Sequence, residues 1–107
     1  MIHGLHRGSV WVATLPPPWK RRPVVVITRD AAIPQLTNVA VAIVTTRVWG
    51  TRTEVPLGPD HGLDQKCVAS CDNILTLRVD RLVRRVGELG PEKVRELNAA
   101  IRTALDL

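Results

Sequence analysis

Apolar residues in the first half of the chain come in short β-branched runs, cut apart by proline, glycine and charge. Ser9 to Leu15 (S-V-W-V-A-T-L) predicts a first strand, with Val10, Val12 and Thr14 on one side and Trp11, Ala13 and Leu15 on the other. Pro16, Pro17 and Pro18 end it, because proline has no N–H to give a ladder. Lys20 to Asp30 reads K-R-R-P-V-V-V-I-T-R-D. Val24 to Ile27 are apolar at successive positions, which suits a strand covered on both faces; a run this short also fits a buried helix by periodicity alone. Pro23 favours the strand, since proline is tolerated at a strand's first residue and drives Arg22 towards an extended conformation. Lys20, Arg21 and Arg22 are therefore expected at the mouth of that strand.

Asp30 to Asn38 reads as a loop containing Pro34, and Val39 to Thr46 as a third strand that turns polar at Arg47. Gly50 marks a turn. Thr51 to Leu57 alternates weakly and carries Pro56, so it is expected at a sheet edge or as a strand end. Gly58 to Asp64 is a loop, and its His61 reads as solvated rather than catalytic. Lys66 to Cys71 predicts a further strand, and Asp72-Asn73 after it suits a turn. Val79 to Arg85 is ambiguous and compatible with one helical turn; Gly87 to Gly90 reads as a short strand or turn. Pro91 opens the clearest helix, running to about Leu105, with Val94, Leu97, Ile101 and Ala104 as one apolar stripe. Five or six short strands and one terminal helix predict an α+β, mostly β domain: a small curled barrel of antiparallel strands.

The totals narrow the function classes. A chain of 107 residues, 45% hydrophobic, supports one domain, taken as residues 1–107. No apolar run nears the ~20 residues of a membrane helix. The opening M-I-H-G-L-H-R-G lacks a signal-peptide core, so a soluble cytoplasmic protein without membrane partners is expected. Formal charge is +5, and twelve of the fifteen cations are arginine, whose planar fork meets phosphate in two parallel hydrogen bonds. That balance suits nucleic acid or an acidic protein, and charge alone does not choose between them. Trp11, Trp19 and Trp49 are the only aromatics, which argues against a sheet that binds single strands chiefly by stacking. Trp19, in the loop before the basic cluster, is either a lid on the core or a base-stacking ring. Cys67 and Cys71 on one strand lie ~13 Å apart, too far to pair, and read as buried free thiols.

From Arg7 to Leu107 the chain resembles the MazF/PemK family of toxin endoribonucleases. The resemblance rests on Arg7-Gly8-Ser9-Val10-Trp11, Arg22-Pro23-Val24-Val25-Val26, and Ala42-Ile43-Val44-Thr45-Thr46. Downstream it continues through Glu54-Val55-Pro56-Leu57, Gly62-Leu63-Asp64, Val68, Asp72, and Leu82 to Leu89 ahead of Pro91-Glu92. It implies an SH3-like barrel of the CcdB/PemK type and a cytoplasmic homodimer. It also implies cleavage of single-stranded RNA without metal or other cofactor, and neutralisation by a MazE-like antitoxin. Catalysis is carried to Arg22 and Thr45. Trp19, Lys20, Arg21, Thr46, Arg47 and Asp72 are the candidate RNA contacts around them. A guanidinium stabilises the charge that gathers on phosphate oxygens when a ribose 2′-hydroxyl attacks, and a hydroxyl can hold one of those oxygens.

The chain departs from the family pattern in places. The loop Pro16 to Arg21 is short, Ile43 replaces a usual proline, and Leu75 stands where an arginine is common. Two rival readings stay open: a toxin of the CcdB kind that poisons gyrase by binding, and an inactive relative that regulates its own operon.

Overall fold

The structure, a computed structural model, describes residues 3–107; Met1 and Ile2, which open the segment read for a signal peptide, lie outside the described residues. Six strands follow in order: β1 (Ser9–Thr14), β2 (Arg21–Val26), β3 (Asn38–Thr45), β4 (Glu54–Leu57), β5 (Cys67–Arg78) and β6 (Leu82–Glu88). The helix α1 (Pro91–Leu105) closes the chain. The strands form one antiparallel sheet in the order β4-β5-β3-β2-β1-β6, curled into a half-barrel. β4 lies at an edge, where Pro56 costs no ladder bond on an open side.

Both faces of the sheet are buried, which is why β2 and β3 are apolar at successive positions. On one face Val10, Val25, Val44, Val55, Ala69 and Cys71 form a cluster closed by Leu97 and Ala100 of α1. On the other, Trp11, Val24, Val26, Val41, Ile43 and Leu82 form a second cluster. Pro91 takes the first turn of α1, and Val94, Ile101 and Ala104 flank the buried Leu97, so the apolar stripe lies on the sheet.

Two local expectations are corrected, and the ambiguity at Val79 to Arg85 is resolved. β2 begins at Arg21, not at Pro23, so Arg21 and Arg22 are strand residues paired with Thr14 and Ala13 of β1. Asp72-Asn73 is not a chain reversal. β5 runs on for 12 residues, with a bulge where the partners of Ala42 and Ile43 jump from Ile74 to Ser70. The bulge absorbs the polar pair: the Asp72 carboxylate accepts from the Thr53 hydroxyl (2.6 Å), and the Asn73 amide donates to the Ser70 hydroxyl (3.0 Å). Val79–Arg81 is a single 3-10 turn, and the segment from Leu82 is strand.

The loop between β4 and β5 lies directly on β6. A Cβ at Gly62, whose φ is +85°, would sit 1.9 Å from the Val86 carbonyl oxygen, and one at Gly87 would sit 2.1 Å from the His61 oxygen. Only two glycines facing each other allow this approach. Arg7 is likewise structural: its Nε donates to the Ile27 carbonyl (3.0 Å) and its backbone N–H to Asp30 (2.6 Å).

Candidate active site

The site begins with Pro23. The ladder between β2 and β3 starts at Val24↔Ile43, one residue past the proline that has no N–H to extend it. Beyond that rung the two strands part. Continued by two residues, that register puts Arg22 opposite Thr45, on strands no longer joined by the ladder. Both are half-buried. Their alternation puts them on the same face as Val24 and Ile43, at the rim of the second cluster.

Clefts open on both sides of this gap, and Arg22 and Thr45 line both. The larger, about 490 Å³, also has Trp19, Thr46, Arg47 and Trp49 in its wall, with Glu54, Ser70 and Asn73 beneath. The smaller, about 390 Å³, adds Lys20, Arg21 and the segment Leu63 to Gln65. Trp19 is half-buried against the second cluster, with the Arg22 guanidinium 5.8 Å from its ring centroid. It is therefore a lid that also steadies Arg22 by a cation–π contact. Lys20 has a φ of +60°, a left-handed turn that swings the chain into β2, and its carbonyl takes the Leu15 N–H. Asp72, exposed and bonded to Thr53, lines neither cleft.

The polar groups are primed for an anion. Among the described residues no ion pair engages Arg22. The Thr45 hydroxyl accepts the Arg47 backbone N–H (3.1 Å), which leaves its own O–H free to donate. Glu54 is the one carboxylate lining the larger cleft. It faces the backbone instead, accepting from the N–H groups of Trp49 (3.0 and 3.1 Å), Gly50 (2.7 Å) and Thr51 (3.3 Å). No thiolate is available: burial pushes the Cys67 thiol up, and burial with the nearby Asp72 charge pushes Cys71 up to about 11. His61 lines neither cleft; its Nδ1 accepts the Gly58 N–H (3.2 Å).

Residues 6–105 match the family described as PemK-like, MazF-like toxin of type II toxin-antitoxin system. The chain belongs to this family. It is 47% identical over 88 residues to the endoribonuclease MazF3 of Mycobacterium tuberculosis, covering 82% of this chain and 85% of the relative. It is 37% identical over 101 residues to the probable endoribonuclease MazF5 of the same species, covering 94% and 92%. Among solved structures, the Mycobacterium tuberculosis toxin MazF-mt6 superposes with a TM-score of 0.86 at 43% identity, over 92% of this chain and 97% of that one. A mycobacterial endoribonuclease in complex with its cognate antitoxin superposes with a TM-score of 0.85 at 29% identity, over 97% of each chain.

Within this MazF-like domain the structure gathers Trp19, Lys20, Arg21, Arg22, Thr45, Thr46 and Arg47 around the two clefts and leaves Asp72 in the β5 bulge, outside both. Sequence reasoning assigned no site role to Trp49, Glu54, Ser70 or Asn73, which share the wall of the larger cleft. The signal for Glu54 was present: an acid three to five residues after a Gly50 turn can reach back to cap that turn's N–H groups.

Proposed function

We propose that this MazF-like toxin cuts single-stranded RNA in the gap between β2 and β3, with Arg22 and Thr45 acting on one phosphate. The carrying observation is the Arg22 guanidinium, in no ion pair among the described residues, opposite a threonine hydroxyl whose O–H is free to donate. In the reaction, the 2′-oxygen bonds to the adjacent phosphorus and gives up its proton. The bond to the 5′-oxygen of the next nucleotide breaks, and that oxygen takes a proton. One fragment keeps a 2′,3′-cyclic phosphate and the other a 5′-hydroxyl. Arg22 stabilises the charge on the phosphate oxygens through its two-donor fork, and Thr45 holds one oxygen so that the attacked phosphorus stays in line.

Lys20, Arg21 and Arg47 draw the backbone into the gap, and Thr46 extends the polar rim. The reading includes a single toxin domain over residues 1–107, a homodimer, action in the cytoplasm, and an antitoxin that covers the cleft with an acidic segment. The complex of the 29% identical mycobacterial endoribonuclease with its cognate antitoxin supports an antitoxin partner; the acidic segment over the cleft follows from the chain's basic charge. Among the described residues no helix is long and apolar enough to cross a membrane.

The test is incubation with a long single-stranded RNA in excess EDTA, beside Arg22→Ala, with the new ends mapped. Discrete cuts that the variant fails to make, leaving 5′-hydroxyl ends, support the reading. Equal cutting by both proteins sinks the role of Arg22. No cutting by folded wild type across several RNAs turns the assignment to a toxin that acts by binding.

A further inference from the structure

Two of the three aromatic residues of this chain border the larger cleft, and they are held in opposite ways. Trp19 packs on the Trp11–Val24–Ile43 cluster. Trp49 is 74% exposed, so it covers no core. A tryptophan left in water on an ordinary loop has every reason to collapse onto the surface or be mobile. Here the loop is held from below: the Glu54 carboxylate takes the N–H groups of Trp49, Gly50 and Thr51, three consecutive residues. Gly50, at φ +77° with nothing within 4 Å of a would-be Cβ, makes the turn. The Arg47 guanidinium lies over the ring, 5.9 Å from its centroid. The backbone is fixed and the ring is free, on the wall of the cleft that holds Arg22 and Thr45.

We infer that Trp49 is a stacking platform for one unpaired nucleobase of the RNA strand next to the phosphate at Arg22, and that Glu54 is the positioning residue that sets the platform. The inference rests on the RNA-cleaving reading for the identity of the strand. An aromatic face stacks on any base, and a neighbouring guanidinium adds attraction and reaches the phosphate that follows. The geometry makes Trp49 an affinity residue: it holds the strand in the substrate complex and the transition state alike, so its loss falls on KM rather than kcat. Glu54 touches no RNA in this account and acts only through Trp49.

The experiment measures equilibrium binding of wild type, Trp49→Ala, Trp49→Phe, Glu54→Gln and Trp49→Ala/Glu54→Gln to a short 2′-O-methyl single-stranded RNA by fluorescence anisotropy. KM and kcat on the cleavable RNA are measured in parallel. Trp49→Ala is expected to weaken binding roughly tenfold, and Trp49→Phe to restore most of it. Glu54→Gln is expected to fall between them, and the double variant to bind no worse than Trp49→Ala. Binding by Trp49→Ala equal to wild type overturns the platform, as does a phenylalanine no better than alanine. A double variant that loses the product of the two single losses overturns the positioning role of Glu54. If wild type cuts nothing yet Trp49→Ala still loses binding, the platform stands and the nuclease reading falls. If wild type cuts RNA and Trp49→Ala binds it unchanged, the reverse holds. Failure of wild type to bind RNA overturns both.

Discussion

Replacing three glycines with alanine separates two costs that the fold imposes. Gly50 has φ +77° and open space around a would-be Cβ, so Gly50→Ala meets only the left-handed backbone penalty. That penalty is ~1–2 kcal/mol and is partly offset by the stiffer unfolded chain, leaving about 1 kcal/mol. Gly87 carries no such backbone requirement, but its Cβ would lie 2.1 Å from the His61 oxygen. The obstacle is backbone and has no rotamer to move into, so the upper end of overpacking applies, about 3 kcal/mol. Gly62→Ala meets both costs, with φ +85° and the Val86 oxygen at 1.9 Å, and is expected to lose about 4 kcal/mol. At ~4–8 °C per kcal/mol for a domain near 100 residues, melting temperatures should fall by about 6, 18 and 24 °C for Gly50, Gly87 and Gly62. Thermal melts by circular dichroism at one fixed protein concentration read these shifts. Gly62→Ala and Gly87→Ala melting no lower than Gly50→Ala would refute the close approach of the loop to β6. The consequence reaches the site, because Leu63 to Gln65, next along that loop, line the smaller cleft.

Other outcomes follow from the same geometry. Cys71, held up to about 11 by burial and the Asp72 charge, is protonated in the native state where an unfolded thiol near 9.0 has begun to ionise. Its contribution is complete below the unfolded value and is lost as pH rises through the folded one. Stability should therefore fall between about pH 9 and 11, by on the order of 2 kcal/mol, and Cys71→Ala should flatten that limb in urea titrations. Both thiols should resist a disulfide reagent at pH 8 in the native state and react fully in denaturant. Arg47→Ala should weaken binding of a single-stranded RNA and reduce the slope of log affinity against log salt by ~0.7, the signature of one lost phosphate contact. An unchanged slope would remove Arg47 from the RNA path.

Much of the fold was legible because local rules and tertiary packing agree. Pro91 and the stripe through Leu97 and Ile101 marked α1 from its first residue to Leu105, and the β-branched runs marked β1 to β3. Asp72-Asn73 misled for an instructive reason. The pair does interrupt a ladder, but a bulge satisfies its polar groups as well as a turn does, and only the pairing partners on β3 and β4 decide between them. Arg22 and Thr45, 23 positions apart, come to line the same two clefts through a register that no local pattern encodes; family resemblance singled them out. Pro23 was read as the start of a strand. Its larger effect, ending the β2–β3 ladder and opening the gap, depends on which strand lies alongside. Glu54 could have been found from its spacing to Gly50, whereas a tryptophan ring left in water, as Trp49 is, is a fact of loop geometry that no spacing encodes.

The most direct test of the central claim is a double-mutant cycle in single-turnover cleavage with Arg22→Ala, Thr45→Val and the pair, with Thr45→Ser as the conservative control. Two groups gripping one phosphate are coupled, so Arg22→Ala should cost ~10²–10³-fold, and Thr45→Val should cost far less in the Arg22→Ala background than in wild type. Thr45→Ser should restore most of the activity. Losses that simply multiply, or a serine no better than valine, would contradict the account of Arg22 and Thr45 acting together across the gap between β2 and β3.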